Sequence, residues 1–239
     1  MNLHLTLQGK GGVGKTLVSV LLAQYLLNKD IQPLCVDTDP VNRSFAGFKK
    51  LAVTSWNIIE NKQVEMRLFD GLINMILARE ESDCVVDNGA SSFIPLTAYL
   101  QESNLLQFLS ENNLTIFIHV VLAGGQSLND TTRGLDFVIQ EFGSAVNIIV
   151  WLNEYFGKIE NNGKSFEDSK IFKDNKSNIY GIIRIPEMTK QTFGVDIQEM
   201  LEDRVTFDEY IASGKYMIIP RQRIKIFKET MFNNISLVL

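Results

Sequence analysis

Gly9-Lys10-Gly11-Gly12-Val13-Gly14-Lys15-Thr16 fits the phosphate-binding pattern G-x-x-x-x-G-K-[ST] and carries one lysine that the pattern does not need, Lys10. In such a loop the glycines let successive backbone N–H groups close around a triphosphate. Lys15 reaches the β- and γ-phosphates, and the Thr16 hydroxyl binds Mg²⁺. The pattern requires a strand before it and a helix after it. Leu3-His4-Leu5-Thr6-Leu7 alternates apolar and polar as a strand does, and Leu17 to Leu27 is an apolar, helix-favouring run containing Val18, Leu21, Leu22, Tyr25 and Leu26. The expected phosphate cradle therefore comprises Gly11, Gly12, Val13, Gly14, Lys15, Thr16 and Leu17.

Outward from this opening, strand-like runs alternate with helical patterns. Residues 2–8, 33–37, 83–87, 115–122, 146–152 and 179–185 read as strands, with helices in most gaps. That order predicts an α/β fold of the P-loop NTPase type, a mostly parallel sheet with helices on both faces. Runs such as Cys84-Val85-Val86 and Ile148-Ile149-Val150-Trp151-Leu152 are continuous rather than alternating, as in strands buried on both faces. Ligands of such a sheet bind at the carboxyl ends of its strands. The polar stretch from Gly157 to Asn178 predicts a surface excursion with a short helix around Glu167 to Phe172, either a solvated connection or a partner-facing loop.

At 239 residues and 45% hydrophobic content, one domain spanning 1–239 is expected. A net charge of −5 argues against broad nucleic-acid affinity and leaves room only for a local, nonspecific DNA contact. The strand at the N-terminus leaves no place for a secretory signal, and no apolar run approaches the roughly 18 residues that span a bilayer. The expected location is the cytoplasm, off the membrane. Cys35 and Cys84 sit singly in apolar runs, and His4 and His119 lie in strand-like segments without ligand spacing, so all four read as core residues.

Two acidic motifs follow the loop. Cys35-Val36-Asp37-Thr38-Asp39-Pro40 places two carboxylates where the second strand gives way to a loop, and Asp83-Cys84-Val85-Val86-Asp87 ends the third strand on an aspartate. Carboxylates there hold Mg²⁺ through water or orient the water that attacks the γ-phosphate, since phosphoryl transfer depends on positioning and charge neutralisation. The Asn88-Gly89-Ala90-Ser91-Ser92 run after Asp87 is rich in donors and expected to be flexible, as suits a switch that feels the γ-phosphate; the plain alternative is a turn.

Taken together, Lys10 to Thr16, Val36-Asp37-Thr38-Asp39-Pro40 and Val85-Val86-Asp87 resemble the ParA/MinD family of deviant Walker A ATPases. The opening and overall size are also similar to a TraL-type subgroup encoded with conjugative plasmid transfer functions. The resemblance implies an ATP-dependent homodimer in which Lys10 crosses to the partner's nucleotide. It implies catalytic roles for Lys10, Lys15 and Asp39, the last orienting the hydrolytic water. It implies Mg²⁺ held by Thr16 and, through water, by Asp37 and Asp87. Asn153 and Pro186 match the positions that read adenine in that family. The chain departs from it in having Val41-Asn42 after Asp39-Pro40 and Asn88-Gly89 after Asp87. With the loop starting at Gly9, no preceding helix-turn-helix is expected.

The implied function is a slow, partner-stimulated ATPase that dimerises on ATP and acts in positioning, partition or plasmid transfer with an unidentified protein partner. The alternatives on the same fold are an ATP-dependent synthetase or ligase and a non-hydrolysing nucleotide-binding scaffold. Near the C-terminus, Arg221 to Lys228 with Met231, Phe232 and Ile235 is basic and amphipathic at helical spacing. It could pack on the domain, lie on a membrane or touch nucleic-acid phosphates.

Overall fold

Leu3, Leu5 and Leu7 point to one side of the first strand and His4 and Thr6 to the other, and both sides are buried. That double burial sets the architecture. The computed structural model describes residues 1–79, 82–161 and 163–239. Its strands are β1 (Asn2–Thr6), β2 (Leu34–Asp37), β3 (Thr54–Ser55), β4 (Ile59–Glu60), β5 (Gln63–Val64), β6 (Cys84–Asp87), β7 (Thr115–Ala123), β8 (Asn147–Asn153), β9 (Glu160–Asn161), β10 (Lys164–Ser165) and β11 (Ile179–Ile185). Seven of them form one parallel sheet in the order β11-β8-β7-β1-β6-β2-β3.

Four helices, α2 (Leu68–Leu77), α3 (Phe93–Gln101), α4 (Leu105–Glu111) and α5 (Leu128–Phe142), cover the face that carries Leu3, Leu5 and Val86. On the other face lie α1 (Lys15–Asn28), α7 (Val195–Glu202), α8 (Phe207–Ala212) and α9 (Ile218–Ser236), packed on Cys35, Val85, Phe117 and Trp151. The short α6 (Lys170–Asn175) belongs to the polar excursion. The six strands expected from sequence lie within two residues of their observed ends.

Three features differ from expectation. The stretch after Ala52 adds the two-residue edge strand β3 and the β4–β5 hairpin, whose turn residues Asn61 and Lys62 both have positive φ. Pairs this short carry too little periodicity to be read from sequence. The excursion's helix starts at Lys170, with Ser169 accepting from the Phe172 N–H as its cap, after a 3₁₀ turn over Phe166–Asp168. The excursion is also anchored: Ile159 and Phe166 are buried in the core, and Arg184 of β11 pairs with Glu154 and Glu167.

The basic C-terminal segment is the helix α9, and its stripe Ile224, Phe227, Met231 and Ile235 is fully buried against α1 and α8. On its polar side Arg223 is bonded by Asp196 and Lys228 by Asp208. Packing therefore accounts for that stripe. Among the described residues no helix is long and apolar enough to cross a membrane.

His4 and His119 are core residues tied in a chain. The Trp151 Nε1–H donates to His119 Nδ1 at 2.9 Å, which leaves His119 Nε2 to donate to His4 Nδ1 at 2.9 Å. Burial pushes His4 down to about 4 and His119 well below its usual value, so both stay neutral. Both cysteine thiols are buried and pushed up to about 12 by desolvation.

Candidate nucleotide site

Sheet register brings the acidic motifs together before any loop is considered. Asp87 on β6 is aligned with Thr6 on β1 and with Asp37 on β2, so three polar side chains stand in one row at the carboxyl ends. The glycine loop turns from β1 into α1 directly above this row. Gly12 and Gly14 have φ of 71° and 106°, a left-handed backbone that favours glycine. A Cβ on Gly14 would also lie 2.7 Å from Asn153 Nδ2, so the β8 end presses on the loop. Among the described residues the first turn of α1 carries no acidic side chain, which leaves its N–H groups and positive dipole end for an anion.

A cavity of about 940 Å³ opens over the loop. Gly11, Gly12, Gly14, Lys15, Thr16 and Leu17 line its phosphate side, with Asp39, Asn88 and Ser91 beside them. Elsewhere its wall is Asn153, Tyr155, Pro186, Met188, Ile197 and Leu201. Val13 is on neither side: it is buried in the core beneath the loop. Lys15 is 8% exposed, and its Nζ donates to the Lys10 carbonyl at 3.0 Å. Desolvation lowers its pKa, against the pull of Asp87 and Asp39.

Asp87 holds three hydroxyls. Thr16 Oγ1 donates to it at 2.7 Å, Ser19 Oγ at 2.9 Å and Thr6 Oγ1 at 3.1 Å. The Thr16–Asp87 contact is the arrangement a Mg²⁺ needs if the hydroxyl binds directly and the carboxylate through water. Among the described residues no group of three or more His, Cys, Asp or Glu side chains is placed to hold a metal ion. Asp37 differs. Its two oxygens accept the Asp39 N–H at 3.0 Å and the Ala46 N–H at 2.9 Å, so its carboxylate pins both ends of the 39–46 loop. Burial raises its pKa against those bonds.

Asp39 lines the cavity, and its Oδ1 caps the Val41 and Asn42 N–H groups at 2.9 and 3.0 Å. Gly89 lies beneath it, where a Cβ would come within 2.7 Å of Asp39 Cγ. Asn153 lines the cavity too, yet its Nδ2 donates to the Val13 carbonyl and its Oδ1 accepts the Tyr155 N–H. The amide expected to read adenine thus braces the phosphate loop. Lys10 stands outside the cavity lining, half-exposed, with Nζ 2.8 Å from Asp130.

The run after Asp87 is expected to be flexible, and in the structure its two ends are hydrogen-bonded. Asn88 is buried, accepting from Thr38 Oγ1 at 2.8 Å and donating to the Thr6 carbonyl, while Ser92 is buried against the Gly89 carbonyl. Only Ala90 and Ser91 of the 3₁₀ turn face the cavity with it. Gln8 carries no motif in sequence. It donates to the Val121 and Thr131 carbonyls at 3.0 and 3.1 Å, clamping the loop's entry to β7 and α5. Its partners are more than a hundred residues away, so no local signal marks it.

Asp87 supports a prediction about stability. Burial pushes its carboxyl up to about 6, against the three hydroxyl bonds. A raised value means that the folded chain holds this proton more tightly than the unfolded one. The group's contribution is therefore most favourable below the unfolded value and falls by about 3 kcal/mol as pH rises through the folded one. Asp87→Asn, without nucleotide, is expected to melt above wild type at pH 8, with roughly half of that gap gone at pH 5. A lower melting temperature than wild type at pH 8 would show that the ionised hydrogen bonds outweigh desolvation.

Residues 5–202 match the CobQ/CobB/MinD/ParA nucleotide binding domain. The chain is 44% identical to a protein TraL of Escherichia coli, over 96% of its own length and 95% of the relative's. It is 42% identical to another Escherichia coli TraL, over 98% and 97%. In fold it is similar to the MinC:MinD cell division protein complex of Aquifex aeolicus, with TM-score 0.55 at 16% identity, covering 98% of this chain and 96% of that one.

Proposed function

The chain belongs to the CobQ/CobB/MinD/ParA nucleotide-binding family, and from that footing we propose that it is a Mg²⁺-dependent ATPase switch whose two copies meet over ATP. The observation that carries the reading is the convergence of Lys15, Thr16 and Asp39 on one cavity, with Asp87 buried behind Thr16 and bonded to its hydroxyl, and with Lys10 half-exposed just outside the lining. Backbone N–H groups of Gly11 to Thr16 bind the phosphates, and Lys15 neutralises their charge. The hydroxyl of Thr16 and the carboxylate of Asp87 hold the Mg²⁺, which supplies charge neutralisation at the transferring phosphoryl group. Asp39 orients the attacking water, and Asp37 keeps the Asp39 loop in shape.

Lys10 provides the contact between subunits. Its ion pair with Asp130 is exposed, with side chains 43% and 47% accessible, and pairs of that kind contribute little. Leaving Asp130 for the partner's nucleotide therefore costs Lys10 little. Turnover is slow until a partner protein engages, and the complex so formed serves positioning, plasmid transfer or partition.

Mass in solution tests this. With ATP and Mg²⁺ the wild type is expected at twice its monomer mass and with ADP as a monomer, while Lys10→Ala stays monomeric in both. Monomeric wild type with ATP, or full dimerisation of Lys10→Ala, would sink the two-copy reading.

A further inference from the structure

One residue of the cavity wall sits where the backbone calls for a different amino acid. At the end of α7 the Val205 N–H bonds the Met200 carbonyl and the Arg204 N–H bonds the Leu201 carbonyl, both at 3.2 Å, which closes the helix in a Schellman motif. Its left-handed position is ordinarily glycine, because a Cβ is disfavoured there. Here it is Arg204, at φ 54°. The same arginine lines the nucleotide cavity, alongside Leu17, Phe48 and Leu201.

Its surroundings leave the cation available. Asp203 beside it bonds Lys215 and Tyr216, and Glu202 accepts from Gln198. Among the described residues no side chain or carbonyl is bonded to the Arg204 guanidinium. Across from it, the backbone of Gly47 gives it room: a Cβ on Gly47 would lie 2.1 Å from Arg204 Cδ and 2.9 Å from its Nη1. Gly47 closes the loop that begins at Asp39 and is pinned by Asp37. A strained backbone, an unpaired guanidinium and a glycine that makes space for it thus coincide on one wall.

We infer that Arg204 is a nucleotide-binding residue, one that contacts the part of the ligand shared by ATP and ADP. This rests on the reading of the cavity as a nucleotide site. The β- and γ-phosphates are served by the glycine loop and Lys15, whereas Arg204 approaches from α7. A guanidinium fits that remaining part by two routes, since it donates in a fork to phosphate or ribose oxygens and stacks on the face of a base. An arginine in this left-handed position carries a backbone cost that glycine would not.

Glycine at this position separates binding from folding, because it relieves the backbone while removing the cation. Calorimetric titration of wild type, Arg204→Gly and Arg204→Lys with Mg-ATP and with ADP, together with melting of each unliganded protein, provides the test. For Arg204→Gly the dissociation constants of ATP and ADP are expected to rise by the same factor, about tenfold, with an unliganded melting temperature at or above wild type. Arg204→Lys recovers part of the loss. Unchanged affinity in Arg204→Gly, a loss for ATP alone, or a melting temperature that falls along with affinity would each overturn the assignment. Wild type that binds neither nucleotide would instead overturn the reading of the cavity itself.

Discussion

Lys15→Ala is expected to lower affinity for both ATP and ADP by about 100-fold or more, while the protein stays folded. Lys15 is already largely desolvated, its Nζ tied to the Lys10 carbonyl and its pKa lowered by burial. A phosphate therefore meets a cation that has little water left to lose, and a charge-assisted bond under those conditions is worth about 3 kcal/mol. The loss compounds, because Asp39 and Asp87 act on Lys15 from close by and would then face the phosphates without a balancing charge. Titration with each nucleotide reads the effect, and a change below about fivefold would remove Lys15 from the phosphate site. Lys15→Arg is not expected to rescue, since a planar fork does not replace a compact ammonium inside a glycine loop.

Asp39→Ala is the second large effect: ATP binding within a few-fold of wild type, and phosphate release lowered by about 100-fold or more. Asp39 has two duties that a second variant can separate. Its Oδ1 holds the Val41 and Asn42 N–H groups, which shapes the loop, and the carboxylate lies on the cavity above Gly89. Asp39→Asn keeps an acceptor for the two N–H groups and removes the charge. If Asp39 orients water, both variants lose hydrolysis; if it only shapes the loop, Asn restores most of it. With hydrolysis blocked, both should accumulate as ATP-bound dimers, a form suited to capturing the partner.

These effects follow from residues of unequal legibility. Gly9 to Thr16 and Asp87 are legible because their pattern is local, a glycine-rich turn between a strand and a helix and an aspartate at the end of an apolar run, whereas the role of Asp39 is what the family resemblance implies. The hold of Asp37 on its loop is not legible in sequence. A carboxylate beside a phosphate loop reads as metal support, and only the folded loop shows the Asp39 and Ala46 N–H groups on its two oxygens. The resemblance implies that Asn153 reads adenine, and in the folded chain its amide donates to the Val13 carbonyl. Gln8 and Arg204 had no signature, because one is defined by carbonyls on β7 and α5 and the other by a helix end meeting Gly47.

By itself the sequence determined the nucleotide loop, the parallel sheet and the order of the acidic motifs, since hydrophobic period and glycine spacing act over a few residues. Tertiary structure decided which of those side chains are free to meet a ligand. Whether a carboxylate or an amide faces a cavity depends on which backbone N–H and carbonyl groups from distant segments reach it first, and buried polar atoms must find partners wherever the fold supplies them. Lys10 shows both halves: the sequence marked it as surplus, and the fold placed it outside the cavity, on Asp130, where little holds it back.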